Sequence, residues 1–246
     1  NVALGYDALG ASTTHSGIVA IGENCLKTAD ANTNNVAIGK DAMELTTTGS
    51  GIAIGAYALH NNTTGLRNVA IGYGALDTNS TGADNTAIGN LVMDGNTTGS
   101  RNVSIGYATL LNNTTGENNI AIGYEALEAN TTASNNTAVG YNALLANTTG
   151  TGNVAVGKDA LDANTTASDN TAVGEEALGV NTTGTNCTAV GYNALYANTN
   201  AVSNTAVGKG SLGANTTGQY NSAIGHAALQ KNTTGSNNVA IGYVAL

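Results

Sequence analysis

Three histidines are the residues of this chain best suited to acid–base catalysis or to metal binding. His15, His60 and His226 lie far apart in the sequence and occupy different positions of the repeat described below. A catalytic triad or a two-histidine metal site needs groups that converge on one point. We therefore expect the three imidazoles to be solvated surface groups, without a catalytic or metal-binding role and without a cofactor.

Acidic residues recur at two places in the repeat, after a leucine or methionine and within two residues after a glycine. They are Glu44, Asp77, Asp94, Glu128 and Asp162 at the first place, and Asp41, Glu125, Asp159, Glu175 and Glu176 at the second. Two acids within one repeat could hold Ca²⁺ weakly or form a glycosidase dyad. The calcium-binding Gly-Gly-x-Gly-x-Asp repeat is missing from the sequence, and nothing distinguishes these pairs from the other repeats. We expect a solvated acidic face and no enzyme activity.

Asn-Thr-Thr is the most frequent polar motif, and it matches the N-glycosylation sequon. The candidate glycosylation or surface-binding residues are Asn62, Asn96, Asn113, Asn130, Asn147, Asn164, Asn181, Asn215 and Asn232, with Thr63, Thr97, Thr114, Thr131 and Thr148. One interpretation is structural, since Asn and Thr side chains satisfy backbone groups in turns. The alternatives are glycosylation at Asn or Thr, and a regular threonine array that orders water on ice.

Tyrosine and cysteine add two weaker signals. Seven of the ten tyrosines follow the repeat glycine, where they could stack on one another or on sugars: Tyr6, Tyr73, Tyr107, Tyr124, Tyr141, Tyr192 and Tyr243. The same position also accepts Lys40 and Glu23, which favours a surface position with structural stacking. Cys25 and Cys187 lie ten repeats apart, too far for a disulfide within one chain. Cysteine usage therefore says little about the cellular compartment.

The composition is that of a repetitive protein with a thin, uniform core. The 246 residues include 33 Gly and no Pro, Phe or Trp, and the net charge is −9. An acidic chain with seven scattered Lys and Arg residues is unsuited to binding nucleic acid. No segment approaches the roughly 18 consecutive apolar residues of a transmembrane helix, so we expect no membrane insertion.

A 17-residue period runs through the whole sequence and predicts the fold. The Gly of an Ala-Ile-Gly, Ala-Val-Gly or Ala-Leu-Gly phrase recurs fifteen times, with Ser104 once in place of the Ala. One interval, from Gly39 to Gly55, has 16 residues because of a deletion around TTTGSG. Short β-branched runs and Gly-punctuated turns favour strands over helices. We predict an all-β parallel β-solenoid of about 14 coils, with two short strands and two turns in each coil.

The columns of the repeat predict how one coil stacks on the next. Asn stands four residues before the repeat glycine in 12 of 15 copies, which predicts a ladder of side-chain hydrogen bonds. We expect stacked Ile, Val and Leu to fill the centre. Glycine that closes Asn-Thr-Thr-Gly is expected at positive φ, which would make Ala133, Ala167 and Ala201 rarer choices.

The strands also predict association between chains. In the strand that contains Thr137, Ala138, Val139 and Gly140, we place Thr and Val inside and the small residues outside. A small, uncharged outer face permits close approach of another backbone, so we expect lateral association, most simply a homotrimer. The alternative is that Ala and Gly line a thin coil within a single chain. We expect residues 1–246 to form a single repeat array without terminal caps, a fragment of a longer fibre or of an end-to-end filament.

The phrases NVAIGYGAL and NTAVGYNAL resemble the head repeats of YadA-like trimeric autotransporter adhesins and, more closely, the repeats of phage-type tail fibre proteins. The resemblance covers the whole chain, although the adhesin repeat is shorter and lacks NTTG. It implies a trimeric parallel β-roll, an extracellular, cell-surface or virion location, and a shaft or adhesive role.

Composition, repeat and resemblance together predict a non-catalytic structural shaft of an extracellular or virion fibre, which associates with copies of itself. The alternative is a binding module, an adhesin or a receptor-, glycan- or ice-binding protein, that uses the Asn-Thr-Thr or Tyr edge. Surface glycans are the possible partners of such a module.

Overall fold

The computed structural model describes residues 1–11, 16–28 and 34–246, and in this part of the chain the regular secondary structure is all β. Contacts divide the chain into two compact units, 1–119 and 120–246. The strands of unit 1 are β1 (Val2–Leu4), β2 (Val19–Ile21), β3 (Val36–Ile38), β4 (Gly51–Ile54), β5 (Asn68–Ile71), β6 (Thr86–Ile88) and β7 (Val103–Tyr107). Those of unit 2 are β8 (Ile120–Tyr124), β9 (Thr137–Val139), β10 (Val154–Val156), β11 (Thr171–Val173), β12 (Thr188–Val190), β13 (Thr205–Val207), β14 (Ser222–Ile224) and β15 (Val239–Ile241).

Within each unit, successive strands pair in parallel and equivalent residues of successive repeats lie opposite each other. Thr171 of β11 faces Thr188 of β12, for example, and Val173 faces Val190. One repeat therefore makes one turn of a parallel β-solenoid, and the chain makes about 14 turns, as the sequence predicts. The 16-residue repeat keeps this register, with Val36 opposite Ile52.

Among the residues that the structure describes, each turn of the solenoid contains one strand, so the prediction of two strands per coil was wrong. The remainder of the repeat is a series of turns that still bond to the next coil through the backbone. In one repeat, Leu144 N–H donates to Ala160 at 3.0 Å, and Ala146 N–H donates to Asp162 at 3.0 Å. These bonds join neighbouring coils without extended backbone, because the turns contain residues with positive φ.

A left-handed turn follows every strand and explains the repeat glycine. Gly140 has φ 142°, and a Cβ at this position would overlap the carbonyl oxygen of Gly157 in the next coil. Asn142 and Leu144 then take φ of 53° and 54°. Asn, Asp and Gly tolerate this region best, which explains their frequency two residues after the repeat glycine.

The interior of the coil is built from alanine, leucine and asparagine, which corrects the predicted side of the strand. Ala138, Leu144 and Asn136 have no exposed surface. Thr137 and Val139 flank Ala138 in β9 and are half-buried, so they point outward. The interior of the coil is narrow, so the strand side chain that faces the buried Leu and Asn must be small, and Ala fits there. Because successive residues of a strand point to opposite faces, the β-branched residues on either side of the Ala point to the surface. The predicted outer face of Ala and Gly was wrong.

Glycine of the Asn-Thr-Thr-Gly turn is not at positive φ, which corrects a second expectation. Gly65 and its equivalents are absent from the positive-φ positions, and a Cβ on Gly65 would instead overlap Asn62 Oδ1 and the carbonyl oxygen of Gly82. Close packing against the next coil therefore favours glycine here. Ala133, Ala167 and Ala201 occupy the same place with at most 2% of their surface exposed.

Candidate functional site

The asparagines of the Asn-Thr-Thr motif lie inside the solenoid. Eight of the nine candidates have no exposed surface, and the ninth, Asn232, is half-exposed: the buried ones are Asn62, Asn96, Asn113, Asn130, Asn147, Asn164, Asn181 and Asn215. In the turn that begins at Asn164, the Nδ2 group donates to Asn147 Oδ1 at 2.8 Å and to the Ala167 carbonyl at 3.0 Å. Both amide hydrogens have partners, so a glycan could attach only after this part of the coil opened.

A second ladder runs through the asparagines that precede the strands, and it confirms the predicted hydrogen-bonding role of that column. Asn153 N–H donates to Asn136 Oδ1 at 2.9 Å, and Asn136 Nδ2 donates to the Gly150 carbonyl at 2.9 Å. Cys187 takes the asparagine position in one coil and still donates its N–H to Asn170 Oδ1 at 2.9 Å. These two ladders make the core partly polar while satisfying its amide groups.

The first threonine of each motif contributes to the backbone ladder. Its hydroxyl donates to the carbonyl of the equivalent residue in the next coil, as from Thr63 to Ser80 at 2.9 Å and from Thr148 to Thr165 at 3.0 Å. Thr97 makes the same bond to Thr114 at 2.9 Å, and Thr131 to Thr148 at 3.2 Å. Thr114 shares their half-buried environment. These side chains are therefore structural, as the turn interpretation predicts.

The second threonine of the motif is the residue that the sequence analysis missed. This column is exposed and no side-chain hydrogen bond involves its hydroxyls within the described residues; it includes Thr64, Thr98, Thr149, Thr166, Thr183 and Thr217. We call it the threonine edge. The sequence contains a signal that could have identified this residue. The Asn of the motif points inward and side chains alternate along the motif, so only one of the two threonines can be fully exposed to water.

The outward side of the strands forms an uncharged surface that we call the sheet face. Its two columns contain Val, Ile, Thr and Ser before the buried alanine, and Ile, Val or Leu after it. Ile54, Ile105 and Val156 expose 36–37% of their surface, and Ile224 exposes 45%. Each unit therefore presents a ladder of β-branched side chains to solvent.

The tyrosine column borders the sheet face. The seven tyrosines that follow the repeat glycine are all exposed by at least 42%. Tyr124 and Tyr141 stack with centroids 5.1 Å apart and planes within 9°. Lys209 lies 5.5 Å above the centroid of the Tyr192 ring. Both contacts are between neighbouring turns, which agrees with stacking at a surface position.

His60 is not a solvated group, so its predicted environment was wrong. Its Nε2 lies 3.1 Å from Glu44 Oε2 and its Nδ1 lies 3.1 Å from Asp77 Oδ1, with 20–28% of the three side chains exposed. Register explains the contact, since the three residues occupy the same column in successive coils. His226 is exposed and stacks on Tyr243. His15 lies outside the described residues.

Acids of two successive coils come together at one place on the surface of unit 2. Asp159, Asp162 and Glu176 surround a surface recess of about 250 Å³ that Gly179 leaves open beside Tyr196. Burial, followed by the charges of Asp159 and Glu176, raises the pKa of the Asp162 carboxyl. Burial and the charge of Glu125 raise the pKa of Glu128 in the same way. Among the described residues, no group of three His, Cys, Asp or Glu side chains is placed to hold a metal ion.

Both cysteines are buried thiols. Burial raises the pKa of Cys25 to about 11, and it also raises the pKa of Cys187. The thiolate form is therefore scarce at neutral pH, and neither residue has the environment of a reactive cysteine.

The chain matches no model of a known protein family, and no curated protein is significantly similar to it in sequence. Over the described residues, no helix has the length and apolar character needed to cross a membrane.

Proposed function

We propose that this protein is a non-catalytic structural shaft of an extracellular or virion fibre, and that copies of it associate laterally as a homotrimer. The observation that carries the proposal is the sheet face, a partly exposed surface without a charged residue in any of the fifteen described strands. Sheets with one face in water normally place polar side chains on that face.

The chemistry of the sheet face suits burial against another copy. Its second column is Ile, Val or Leu in every strand, from Leu4 to Ile241. Side chains of this kind gain free energy when they leave water, and a ladder of identical groups can pack against an identical ladder. Stable soluble proteins seldom leave a continuous apolar patch of this extent uncovered.

The size of the sheet face fits an interface between chains. Three residues of strand span about 10 Å and neighbouring strands lie about 4.8 Å apart, so the strands of both units offer on the order of 700 Å². A standard interface buries about 800 Å² on each partner. The resemblance of the NTAVGYNAL repeats to trimeric adhesins and tail fibres supports three copies, an extracellular setting and a shaft role.

The test is the mass in solution, measured by light scattering on the full chain. The wild-type protein is expected at three times 24.3 kDa. Replacing Val173 and Val190 by Lys places charges on the outward side of adjacent strands, and should give a folded 24.3 kDa monomer. Replacing Thr166 and Thr183 by Lys on the threonine edge of the same coils is the matched control, and should leave the trimer intact.

Three outcomes contradict parts of the proposal. A wild-type monomer would exclude lateral association, and a dimer would exclude the trimer while retaining the sheet face. Dissociation by the threonine-edge control instead of the sheet-face variant would place the interface on the other surface. Circular dichroism of each variant establishes that its β structure is retained.

The threonine edge favours a second candidate, a binding module for glycans or ice. Its exposed hydroxyls have no side-chain partner in the described structure and recur in most coils, with Asn200 in their place in one. Glycan-array binding and thermal hysteresis of the purified protein test this function. Loss of either activity when Thr149, Thr166 and Thr183 become Val, with the fold retained, would support it. If the wild-type protein shows neither glycan binding nor thermal hysteresis, the binding function is excluded for these ligands.

A further inference from the structure

His60 connects three successive turns of unit 1 through side-chain contacts. Glu44 lies in the turn before it and Asp77 in the turn after it, and each carboxylate reaches one ring nitrogen at 3.1 Å. Asn61 Nδ2 also donates to Asp77 Oδ1 at 3.3 Å. In the column that follows the buried Leu or Met, His60 is the single histidine of the sequence.

The two contacts together require a hydrogen on each nitrogen of the imidazole, and therefore the protonated ring. A carboxylate accepts hydrogen bonds and cannot donate them, so each ring nitrogen must carry a hydrogen to bond its partner. A neutral imidazole has one N–H. Either neutral tautomer therefore leaves a nitrogen lone pair 3.1 Å from the oxygen of Glu44 or of Asp77. In the tautomer with its hydrogen on Nε2, Asn61 Nδ2 lies 3.4 Å from the Nδ1 lone pair and can donate to it, but the contact between Nδ1 and Asp77 is then lost. The imidazolium ion satisfies both contacts with charge-assisted hydrogen bonds.

We infer that His60 is a pH-dependent clamp, which as an imidazolium ion ties the turns of Glu44, His60 and Asp77 together and releases one of them when neutral. Imidazole is the side chain that ordinarily changes charge between pH 5 and pH 8. The clamp therefore strengthens these turns in mildly acidic solution. It is independent of the proposed shaft function, because it needs a single chain.

Other charged and aromatic groups lie around the three residues. Lys27 Nζ lies 3.9 Å from Glu44 Oε1 and 3.7 Å from Asp7 Oδ2, so it engages the outer side of the first carboxylate. Beyond Asp77 lies Asp94, a carboxyl whose pKa is raised by burial and by the charge of Asp77. The edge of the Tyr57 ring packs against the imidazole at 5.7 Å between centroids. The carboxylates of this column thus outnumber its lysine.

The test is amide hydrogen exchange in the full chain with His15 and His226 replaced by Gln, so that His60 is the remaining histidine. The Leu59 amide donates to Ala75 at 3.0 Å and the Asn61 amide donates to Asp77 at 2.9 Å. After correction for intrinsic exchange, their protection factors should fall about tenfold between pH 5.5 and pH 8.0, as expected for loss of a hydrogen bond to a charged group. The equivalent amides of Leu212 and Ala214 in unit 2, which donate to Ala228 at 2.9 Å and to Gln230 at 3.1 Å, are the internal reference and should change little.

Two variants complete the experiment. His60→Gln should give low protection at both pH values, and His60→Lys, with a permanent charge, should remove most of the pH dependence. Equal wild-type protection at the two pH values would overturn the clamp. A full tenfold change in His60→Gln would overturn it as well, because another group would then be titrating.

Discussion

Asn164 donates both hydrogens of its side-chain amide inside the coil, one to Asn147 Oδ1 of the preceding turn at 2.8 Å and one to the Ala167 carbonyl of its own turn at 3.0 Å. Its own Oδ1 accepts from Asn181 Nδ2 at 3.3 Å. One buried side chain thus closes its own turn and joins the turns before and after it. Such a group stabilises the fold as long as every partner is present.

Replacing Asn164 by Ala should therefore be costly. It removes an acceptor from Asn181 and a donor from both Asn147 and Ala167, in a site with no exposed surface. We expect the free energy of unfolding to fall by about 2–3 kcal/mol, measured by urea titration. Thr166→Ala, on the threonine edge two residues later, is the control and should change stability by less than about 0.5 kcal/mol. Equal effects of the two changes would contradict the ladder.

Much of the fold follows from the sequence because its period is so regular. The spacing of Gly123, Gly140 and Gly157 fixes the length of a turn, and the Asn136 column identifies the hydrogen-bonded ladder. The side of the strand that faces inward could not be predicted in this way. Thr137 and Val139 alternate with Ala138 and Gly140, and neither set is charged, so polarity gives no preference. The width of the coil decides, and this width depends on turns that the sequence does not reveal.

The inward position of the strand alanine can be tested by enlarging it. Ala138→Leu introduces three carbon atoms where no surface is exposed, and overpacking of this kind should lower the free energy of unfolding by about 3 kcal/mol. Val139→Leu, one residue later on the sheet face, should alter it by less than about 1 kcal/mol. Thermal or urea unfolding followed by circular dichroism measures both. The opposite order would mean that Val139 lies inside.

The turns were harder to predict because their residues do not all favour left-handed backbone. Asn142 and Asp159 are typical of this region, but Leu144 and Leu161 adopt φ of 52–54° at buried positions. A leucine at positive φ is rare, and no pattern in the sequence predicts it. Burial of its side chain compensates for the conformational cost. The contact of His60 with Glu44 and Asp77 could have been predicted from the sequence, because the three residues occupy the same position in successive repeats.

Substitution by glycine should stabilise the protein at a position where the backbone is left-handed and the original side chain contributes little packing. Ala108 has φ 50° and follows strand β7. Left-handed backbone costs an L-residue about 1–2 kcal/mol, so Ala108→Gly should raise the free energy of unfolding by about 1 kcal/mol despite the greater entropy of glycine in the unfolded chain. The same change in a strand, Ala155→Gly, should lower it by about 1 kcal/mol. If both substitutions destabilise to the same extent, the turn is not strained at Ala108.

The recess beside Tyr196 should make stability depend on pH through Asp162. Burial and the charges of Asp159 and Glu176 raise its pKa above the usual value of 3.8, so the folded protein binds this proton more tightly than the unfolded chain. Stability therefore falls as the pH rises from the unfolded pKa through the folded pKa, and the ionised carboxyl is unfavourable at neutral pH.

Asp162→Asn removes that charge while preserving the shape of the side chain. We expect it to raise the free energy of unfolding at pH 7 by about 0.5 kcal/mol, since the group is partly exposed to solvent. At pH 3 the wild-type carboxyl is protonated in both states, and the advantage should disappear. Asp169→Asn, at an exposed position in the same repeat, is the control and should show no such gain at pH 7. An equal advantage at pH 3 and pH 7 would show that packing or hydrogen bonding, rather than the charge of Asp162, is responsible.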